Sequence, residues 1–431
     1  MARIAILTTF TKFDSWYSLT GIVKDQVRML TEYGNDVFLF VNEKYAGDGA
    51  EFSDPNLTLL KAIPFAHLKD YQSRSEVSTE HLITADKTAD VLVDLFKQHQ
   101  IDTVFTHDFV FLGWSLPYAL GIQKASRQLT GVSWLHWIHS IPSRFSDWWQ
   151  MSDYGPHHRL IYPNATDRVR VAENYRATPA AVRTIPHIKD LRIMFRFSER
   201  TCELIDHIPA LMQADVVQIY PASSDRFEAK RVAEVMKIFG AIKSMHNTVC
   251  LFVANQWATT AKHYANIREY EDLGRKYGLE PGIDLIFSST FMPKDHSGKP
   301  PYEVGIPSEI LVQLMQLSNL FVFPTREETF GLVLPEMALA SGALCVVNRS
   351  LQMQLEISGY NAPFFDFGSY TQTHAVNDPD HYLTEVAKII MSRMQDNESV
   401  MTRTFMRQRY NYDNLYAKFY APLIAEMRLY V

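Results

Sequence analysis

Short apolar runs alternate with longer amphipathic segments along most of the chain, and this alternation constrains the fold more than any other feature of the sequence. Runs at 4–9, 36–41 and 103–106 have the length of buried strands, whereas 23–33 and 84–99 have helical spacing. Strands that are joined by crossover helices form a parallel sheet with helices on both faces. The sequence therefore predicts an α/β fold of the doubly wound, Rossmann-like kind.

The alternation begins again near residue 217, so the chain divides into two units. We expect an N-terminal domain over 1–205, a C-terminal domain over 206–410, and a final helical segment, 411–431, that could cross back to the first domain. Segment 195–215 is the predicted link. Two such units predict a cleft between them, and ligands of doubly wound sheets bind beyond the carboxyl ends of the strands.

Composition excludes several classes of protein. The chain has 431 residues, of which 47% are hydrophobic and 21% charged, so it is neither disordered nor fibrous. Three scattered cysteines exclude a disulfide scaffold and predict a reducing, cytoplasmic location. No run reaches the roughly 18 apolar residues of a membrane-spanning helix. A net charge of −6 disfavours general coating of nucleic acid.

The densest signal lies in residues 321–348, which have the pattern of strand, polar loop, helix and strand. Glu328 and Glu336 are separated by seven residues, and a turn between them opens the helix. The free N–H groups of a helix start attract an anion, and Gly331 lets the backbone approach a ligand closely. Two flanking carboxylates can accept hydrogen bonds from hydroxyl groups. This combination predicts a nucleotide-sugar site; the alternative is a pair of solvated charges.

This segment resembles the Glu-x7-Glu signature of the retaining glycosyltransferases of family four, which have the GT-B fold. The matching positions are Pro324-Thr325, Glu328, Phe330-Gly331-Leu332, Glu336-Met337-Ala338 and Gly342. The departures are Thr329, Pro335 and Ala343-Leu344, and none of them removes a functional side chain.

The resemblance implies a role for each matching residue. Glu328 would bind hydroxyls of the donor sugar, and Glu336 would bind the ribose. The backbone of the donor-binding turn would lie along the sugar and the diphosphate; its residues are Thr329, Phe330, Gly331 and Leu332.

Enzymes of this fold use cationic side chains, rather than a metal, to neutralise the leaving diphosphate. The family supplies them after the first strand of its second domain, where this chain has Arg226 and Lys230, with Arg231 as a close competitor. Ser223 stands where the family often has an arginine. The alternative is a charged first turn of a surface helix.

The first domain supplies further candidates. Gly21 lies in the predicted turn between the first strand and the first helix, where its backbone could approach the donor phosphates. His139 follows the strand at 131–138 and resembles a family histidine near the transferred sugar, whereas His136 is interpreted as a core residue. Four residues at a strand end or in an aromatic stretch are candidates for acceptor binding: His107, Asp108, Trp148 and Trp149.

The resemblance implies a retaining hexosyltransferase that works by a front-face mechanism without a metal or cofactor, with a UDP-sugar favoured over a GDP-sugar as donor. A carbohydrate, lipid-linked or small-molecule acceptor is favoured. A modified base in DNA is the alternative acceptor, because basic residues outnumber acidic ones over 159–200. Two other readings are an epimerase and a catalytically inactive nucleotide-sugar-binding protein on the same fold.

Overall fold

The computed structural model describes most of the chain, and the described residues form two compact units. Met1–Asp190 and Tyr410–Val431 make the first unit, and Leu191–Arg409 makes the second. The predicted α/β class is confirmed, since both units contain parallel sheets. The described residues are 2–14, 18–49, 52, 54–64, 66, 74–107, 115–139, 150–151, 154, 157–187, 190–291, 301–328, 331–372 and 378–429.

The first unit is built on a seven-stranded parallel sheet with the order β3-β2-β1-β4-β5-β6-β7. Its strands are β1 (Arg3–Leu7), β2 (Asp36–Asn42), β3 (Leu57–Ile63), β4 (Thr103–His107), β5 (Ser133–Trp137), β6 (His158–Tyr162) and β7 (Val182–Thr184). The side chains of β4 and β5 are buried throughout, as in a sheet that is covered on both faces. Its larger helices are α1 (Ser18–Glu32), α2 (Thr79–Gln98), α3 (Leu116–Gln128) and α4 (Arg168–Asn174).

The second unit contains two three-stranded parallel sheets, with the orders β10-β9-β8 and β11-β12-β13. The strands are β8 (Val216–Ser223), β9 (Val249–Gln256), β10 (Leu285–Phe287), β11 (Leu320–Phe323), β12 (Leu344–Asn348) and β13 (Phe364–Phe365). The helices are α5 (Leu191–Met194), α6 (Glu199–His207), α7 (Ala210–Gln213), α8 (Val232–Ser244), α9 (Ala261–Lys276), α10 (Ser288–Phe291), α11 (Ser308–Met315), α12 (Val333–Ala340), α13 (Gln352–Ile357), α14 (Pro379–Gln395) and α15 (Glu398–Arg409). Helices α6 and α7 occupy much of the segment that was predicted as a link.

A buried glutamine joins β8 to β11. The side-chain Nε2 of Gln218 donates to the Val322 carbonyl at 3.0 Å, and its Oε1 accepts from the Val322 N–H at 2.9 Å. A primary amide offers the same donor and acceptor as a peptide group, so it satisfies a strand edge that backbone pairing leaves open. As a result, the carboxyl ends of β8 and β11 lie side by side.

The C-terminal segment packs onto the first unit. It contains α16 (Tyr412–Leu415), a π-helical turn (Tyr416–Tyr420) and α17 (Ala421–Arg428), where the sequence predicts one helix over 414–430. Gln26 of α1 donates to the hydroxyl of Tyr420 at 3.0 Å. Within the described ranges, no helix has the length and apolar character that crossing a membrane requires.

Candidate active site

The loops that follow β8 and β11 are fastened to each other. The hydroxyl of Thr325, which is fully buried, donates to the Ala229 carbonyl at 3.2 Å, and the Arg326 N–H donates to the same carbonyl at 2.8 Å. These bonds hold the turn before α8 against the turn after β11. The two turns carry the predicted cations and the first predicted glutamate, respectively.

Lys230 and Glu328 form an ion pair between these two loops. Lys230 Nζ contacts Glu328 Oε1, and each side chain is only 16% exposed. The ammonium also lies 5.5 Å from the ring centroid of Phe323, and the hydroxyl of Tyr220 donates to the Lys230 carbonyl at 2.5 Å. Because the pair is largely shielded from solvent, salt screens its charges less than those of a surface pair. The pair places one cation and one carboxylate at the carboxyl edge of the strands.

The other two candidate cations have different partners. Arg226 pairs with Glu327 at 2.5 Å, with both side chains about half exposed, and such a surface pair contributes little to stability. Arg226 can therefore exchange Glu327 for another anion at little cost. Arg231 pairs instead with Glu234 on α8, at 2.5 Å.

The turn before α12 needs a glycine. Gly331 has a φ of +71°, and a Cβ at this position would lie 3.1 Å from Phe323 Cε1 and 3.5 Å from Glu328 Cγ. The turn therefore lies directly against Glu328. Thr329 and Phe330 fall outside the described residues, and the side chain of Leu332 is 67% exposed.

Glu336 lies in the first turn of α12, where the helix dipole favours a negative charge. Its side chain is exposed and contacts no hydrogen-bond or ion-pair partner among the residues that the structure describes. The carboxylate is therefore available to a ligand.

Two buried asparagines shape the same edge, and the sequence analysis did not identify them. Asn255, at the end of β9, donates to Ser224 Oγ at 3.0 Å and to Ser289 Oγ at 2.7 Å. Asn348, at the end of β12, donates to the carbonyls of Thr325 at 2.9 Å and Gly368 at 2.8 Å. An asparagine that closes an apolar strand is the sequence signal that could have found them.

Trp257 is the other residue that the sequence analysis missed. It follows β9 directly, its φ is +57°, and its side chain is 55% exposed. A bulky residue rarely adopts this left-handed conformation, and strained residues concentrate at functional sites. The residue thus presents an aromatic ring near the carboxyl edge of β8, β9 and β10.

The first unit brings together His107 and His139. His107 Nδ1 and His139 Nε2 are 2.7 Å apart, and the His187 ring centroid is 4.9 Å from that of His139. Burial, reinforced by His187, lowers the pKa of His107 to about 3. Burial also lowers the pKa of His139 well below its usual value, with His107 and His187 adding to the effect. Both imidazoles are therefore neutral near pH 7.

His136 belongs to a separate chain of buried groups. Its Nδ1 is 2.8 Å from Thr106 Oγ1, and its Nε2 is 2.8 Å from His158 Nδ1. Burial lowers the pKa of His136 to about 3. The side chain is completely buried, in agreement with its interpretation as a core residue.

The remaining predicted residues of the first unit are not brought into this cluster by any described contact. Gly21 lies inside α1, which begins at Ser18, rather than in a turn before the helix, so the predicted position of that turn is wrong. The candidate acceptor residues that fall outside the described part of the chain are Asp108, Trp148 and Trp149. Across the part that is described, no three His, Cys, Asp or Glu side chains form a group that could hold a metal ion.

No protein-family model and no curated protein sequence matches this chain. Among solved structures it is similar to a glycosyltransferase from Rickettsia africae, with a TM-score of 0.37 and 12% identity over 99% of this chain and 98% of that one. It is also similar to sucrose-phosphate synthase from Thermosynechococcus elongatus, with a TM-score of 0.33 and 16% identity over 100% of this chain and 98% of that one. A third similar structure is the Anabaena protein HepE in complex with UDP, with a TM-score of 0.32 and 13% identity over 98% of this chain and 100% of that one. At identities and TM-scores this low, the residues of the site must carry the functional case.

Proposed function

We propose that this protein is a retaining glycosyltransferase that moves a hexose-type sugar from a nucleoside-diphosphate donor to an acceptor hydroxyl. The observation that supports it best is the shielded Lys230–Glu328 pair, with the Gly331 turn lying against it. A cation for a phosphate and a carboxylate for sugar hydroxyls thus meet where a doubly wound sheet binds its ligands. A UDP-sugar is the favoured donor.

The pair is the resting state of the site. When the donor binds, Lys230 turns from Glu328 to the diphosphate, and Glu328 accepts hydrogen bonds from the sugar. Arg226 leaves its exposed partner Glu327 and adds a second positive charge. Fixed charges in a partly buried site stabilise the negative charge that develops on the leaving group.

The reaction needs no carboxylate nucleophile. The bond between C1 and the diphosphate oxygen breaks, the acceptor oxygen bonds to C1 on the same face, and the leaving diphosphate takes the acceptor proton. The anomeric configuration is therefore retained. The protein contributes position and charge stabilisation.

The rest of the donor extends along the edge of the strands. Glu336 binds the ribose hydroxyls, and Trp257 offers its ring to the base. Strand β9 lies next to β8, and β8 lies next to β11, so Trp257 and Glu328 follow strands that are two spacings apart, about 10 Å. This separation suits a ligand with a base at one end and a sugar diphosphate at the other.

The acceptor is proposed to bind in the first unit. The neutral His107–His139 pair can donate and accept hydrogen bonds, so it suits a hydroxyl group better than an anion. A carbohydrate, lipid-linked or small-molecule acceptor is favoured on this ground.

Binding of UDP, UDP-glucose and GDP-mannose, measured by calorimetry in EDTA, tests the donor site. The wild type is expected to bind UDP-glucose, and Glu336→Gln to lose about tenfold in affinity with the ribose contact. Glu309→Gln is the matched control, because Glu309 is an exposed glutamate in the first turn of α11. Absence of nucleotide binding, or equal affinities of the two variants, would contradict the proposal.

Transfer is tested separately by NMR of the product anomer. With a bound UDP-sugar and a panel of sugar acceptors, the product is expected to keep the anomeric configuration of the donor. Inversion of that configuration would exclude the front-face mechanism, and binding without any transfer would favour an inactive nucleotide-sugar-binding protein.

A further inference from the structure

A cavity lies in the second unit, apart from the residues assigned to the donor. It has a volume of about 400 Å³, which is within the range of small-molecule sites. Its walls come from the start of α8, the turn after β11, the segment after β13 and the start of α14. The residues that define its chemistry are Arg231, Glu234, Arg326, Asp366, Tyr370 and Tyr382.

Arg231 reaches this cavity at a conformational cost. Its φ is +53°, a left-handed conformation for which glycine is the usual residue. Its Nη1 binds Glu234 at 2.5 Å, while its buried Nε has no hydrogen-bond partner in the described structure. The guanidinium of Arg231 therefore keeps one N–H donor, at Nε, that its contact with Glu234 does not use.

Arg326 enters from the turn after β11 with the same unused donor. Its Nη1 binds Glu228 at 2.7 Å, and its guanidinium carbon lies 5.7 Å from the centroid of the Tyr370 ring. Its Nε is also buried and has no partner among the described residues. Arg231 and Arg326 therefore both line the cavity, and each guanidinium has hydrogen-bonding capacity that its carboxylate partner leaves unused.

The charge balance of the cavity indicates which kind of ligand group would accept hydrogen bonds from the arginines. The two arginines are offset by the carboxylates of Glu234 and Asp366, which also line it. An anionic ligand would meet both carboxylates, whereas a hydroxyl group can accept from an arginine and donate to a carboxylate. Asp366 is held in place, because its Oδ1 accepts from Ser350 Oγ at 2.5 Å and from the Gly368 N–H at 3.0 Å.

Tyr370 supplies an apolar surface beside these polar groups. Its side chain is 57% exposed, and Arg326 lies over its ring. A flat aromatic face suits the C–H face of a sugar ring, while the charged groups suit its hydroxyls. We propose that this cavity binds a neutral sugar ring, as a saccharide site separate from the donor residues.

This site does not depend on the proposed transfer reaction, and sugar binding tests it directly. Saturation-transfer NMR of the full chain with methyl α-glucoside, methyl α-mannoside, methyl β-galactoside and maltose is expected to show binding of at least one of them. Tyr370→Ala and Arg231→Gly are each expected to lower that affinity about fivefold to tenfold. Arg231→Gly also removes the left-handed strain, so it is expected to fold.

Tyr360→Ala is the matched control, because Tyr360 is 65% exposed in the same unit and does not line the cavity. It is expected to bind sugar as the wild type does. The proposal is overturned if none of the four sugars binds, if Tyr370→Ala and Arg231→Gly bind as tightly as the control, or if inorganic phosphate competes with the sugar. UDP binding by Tyr370→Ala is measured in parallel and is expected to be unchanged, so failure of this site and failure of the donor site are distinguished.

Discussion

His136 lies in the middle of β5 with its side chain completely buried, and acidification is expected to destabilise the first unit through it. Burial lowers its pKa from 6.5 to about 3 in the folded protein. Below pH 6.5 the unfolded chain takes up a proton at this site, whereas the folded protein does not until the pH nears 3. The free energy of unfolding therefore falls as the pH falls through this window.

The size of the effect follows from the two pKa values. Between pH 7 and pH 5 the proton bound by the unfolded chain lowers the free energy of unfolding by about 2 kcal/mol. The buried His107, whose pKa is also lowered to about 3, adds about the same amount. The hydrogen bond to Thr106 does not prevent this loss, because it satisfies the neutral ring.

Urea unfolding at pH 7, 6 and 5, followed by tryptophan fluorescence, measures the effect. Between pH 7 and pH 5 the free energy of unfolding is expected to fall by about 2 kcal/mol less in His136→Gln than in the wild type. His381→Gln is the control, because His381 is exposed on α14, and it is expected to match the wild type. A wild-type pH dependence in His136→Gln would refute the reasoning.

Two further predictions concern the edge that carries Glu328. Lys230→Met leaves Glu328 without its cation and removes the positive charge proposed for the diphosphate, so the transfer rate, followed by release of the nucleotide, is expected to fall at least about 100-fold; a rate near that of the wild type would remove Lys230 from the mechanism. Gly331→Ala forces a side chain into a left-handed position 3.1 Å from Phe323, and thermal unfolding is expected to show a loss of about 1–2 kcal/mol, whereas Gly131→Ala, whose Cβ would meet no atom within 4 Å, should not be destabilised in this way.

Most strands of both units could be predicted because they are buried on both faces. Strand β3, whose residues are mostly half-buried or exposed, and the two-residue β13 were not predicted. Strands such as β1, β2 and β11 are nearly continuous apolar runs, and such runs stand out from the polar loops around them. The bridge between β8 and β11 could not be predicted. It depends on a single amide, Gln218, whose partner Val322 lies 104 residues away. The π-helical turn at Tyr416–Tyr420 could not be predicted either, because nothing in the helical spacing of the apolar residues marks it.

The family resemblance pointed to both Glu328 and Lys230, and the structure brings them together across 98 residues. Both follow strands whose carboxyl ends are neighbours, and the Gln218 bridge between β8 and β11 places them on one edge. Trp257 could not be identified from the sequence, because its significance lies in its backbone conformation rather than in its residue type. A φ of +57° cannot be read from the sequence around it.

The three cations after β8 show why spacing alone leaves a site ambiguous. If the segment were helical from Arg226, that residue and Lys230 would share a face and Arg231 would lie beside it. Instead α8 begins at Val232, and a turn with a left-handed residue at its end precedes it. The turn directs the three side chains to three different carboxylates: those of Glu327, Glu328 and Glu234. Lys230 thereby becomes the candidate for the donor diphosphate, while the left-handed Arg231 lines the cavity of the proposed saccharide site. Adjacent residues in one turn can therefore serve two separate ligands.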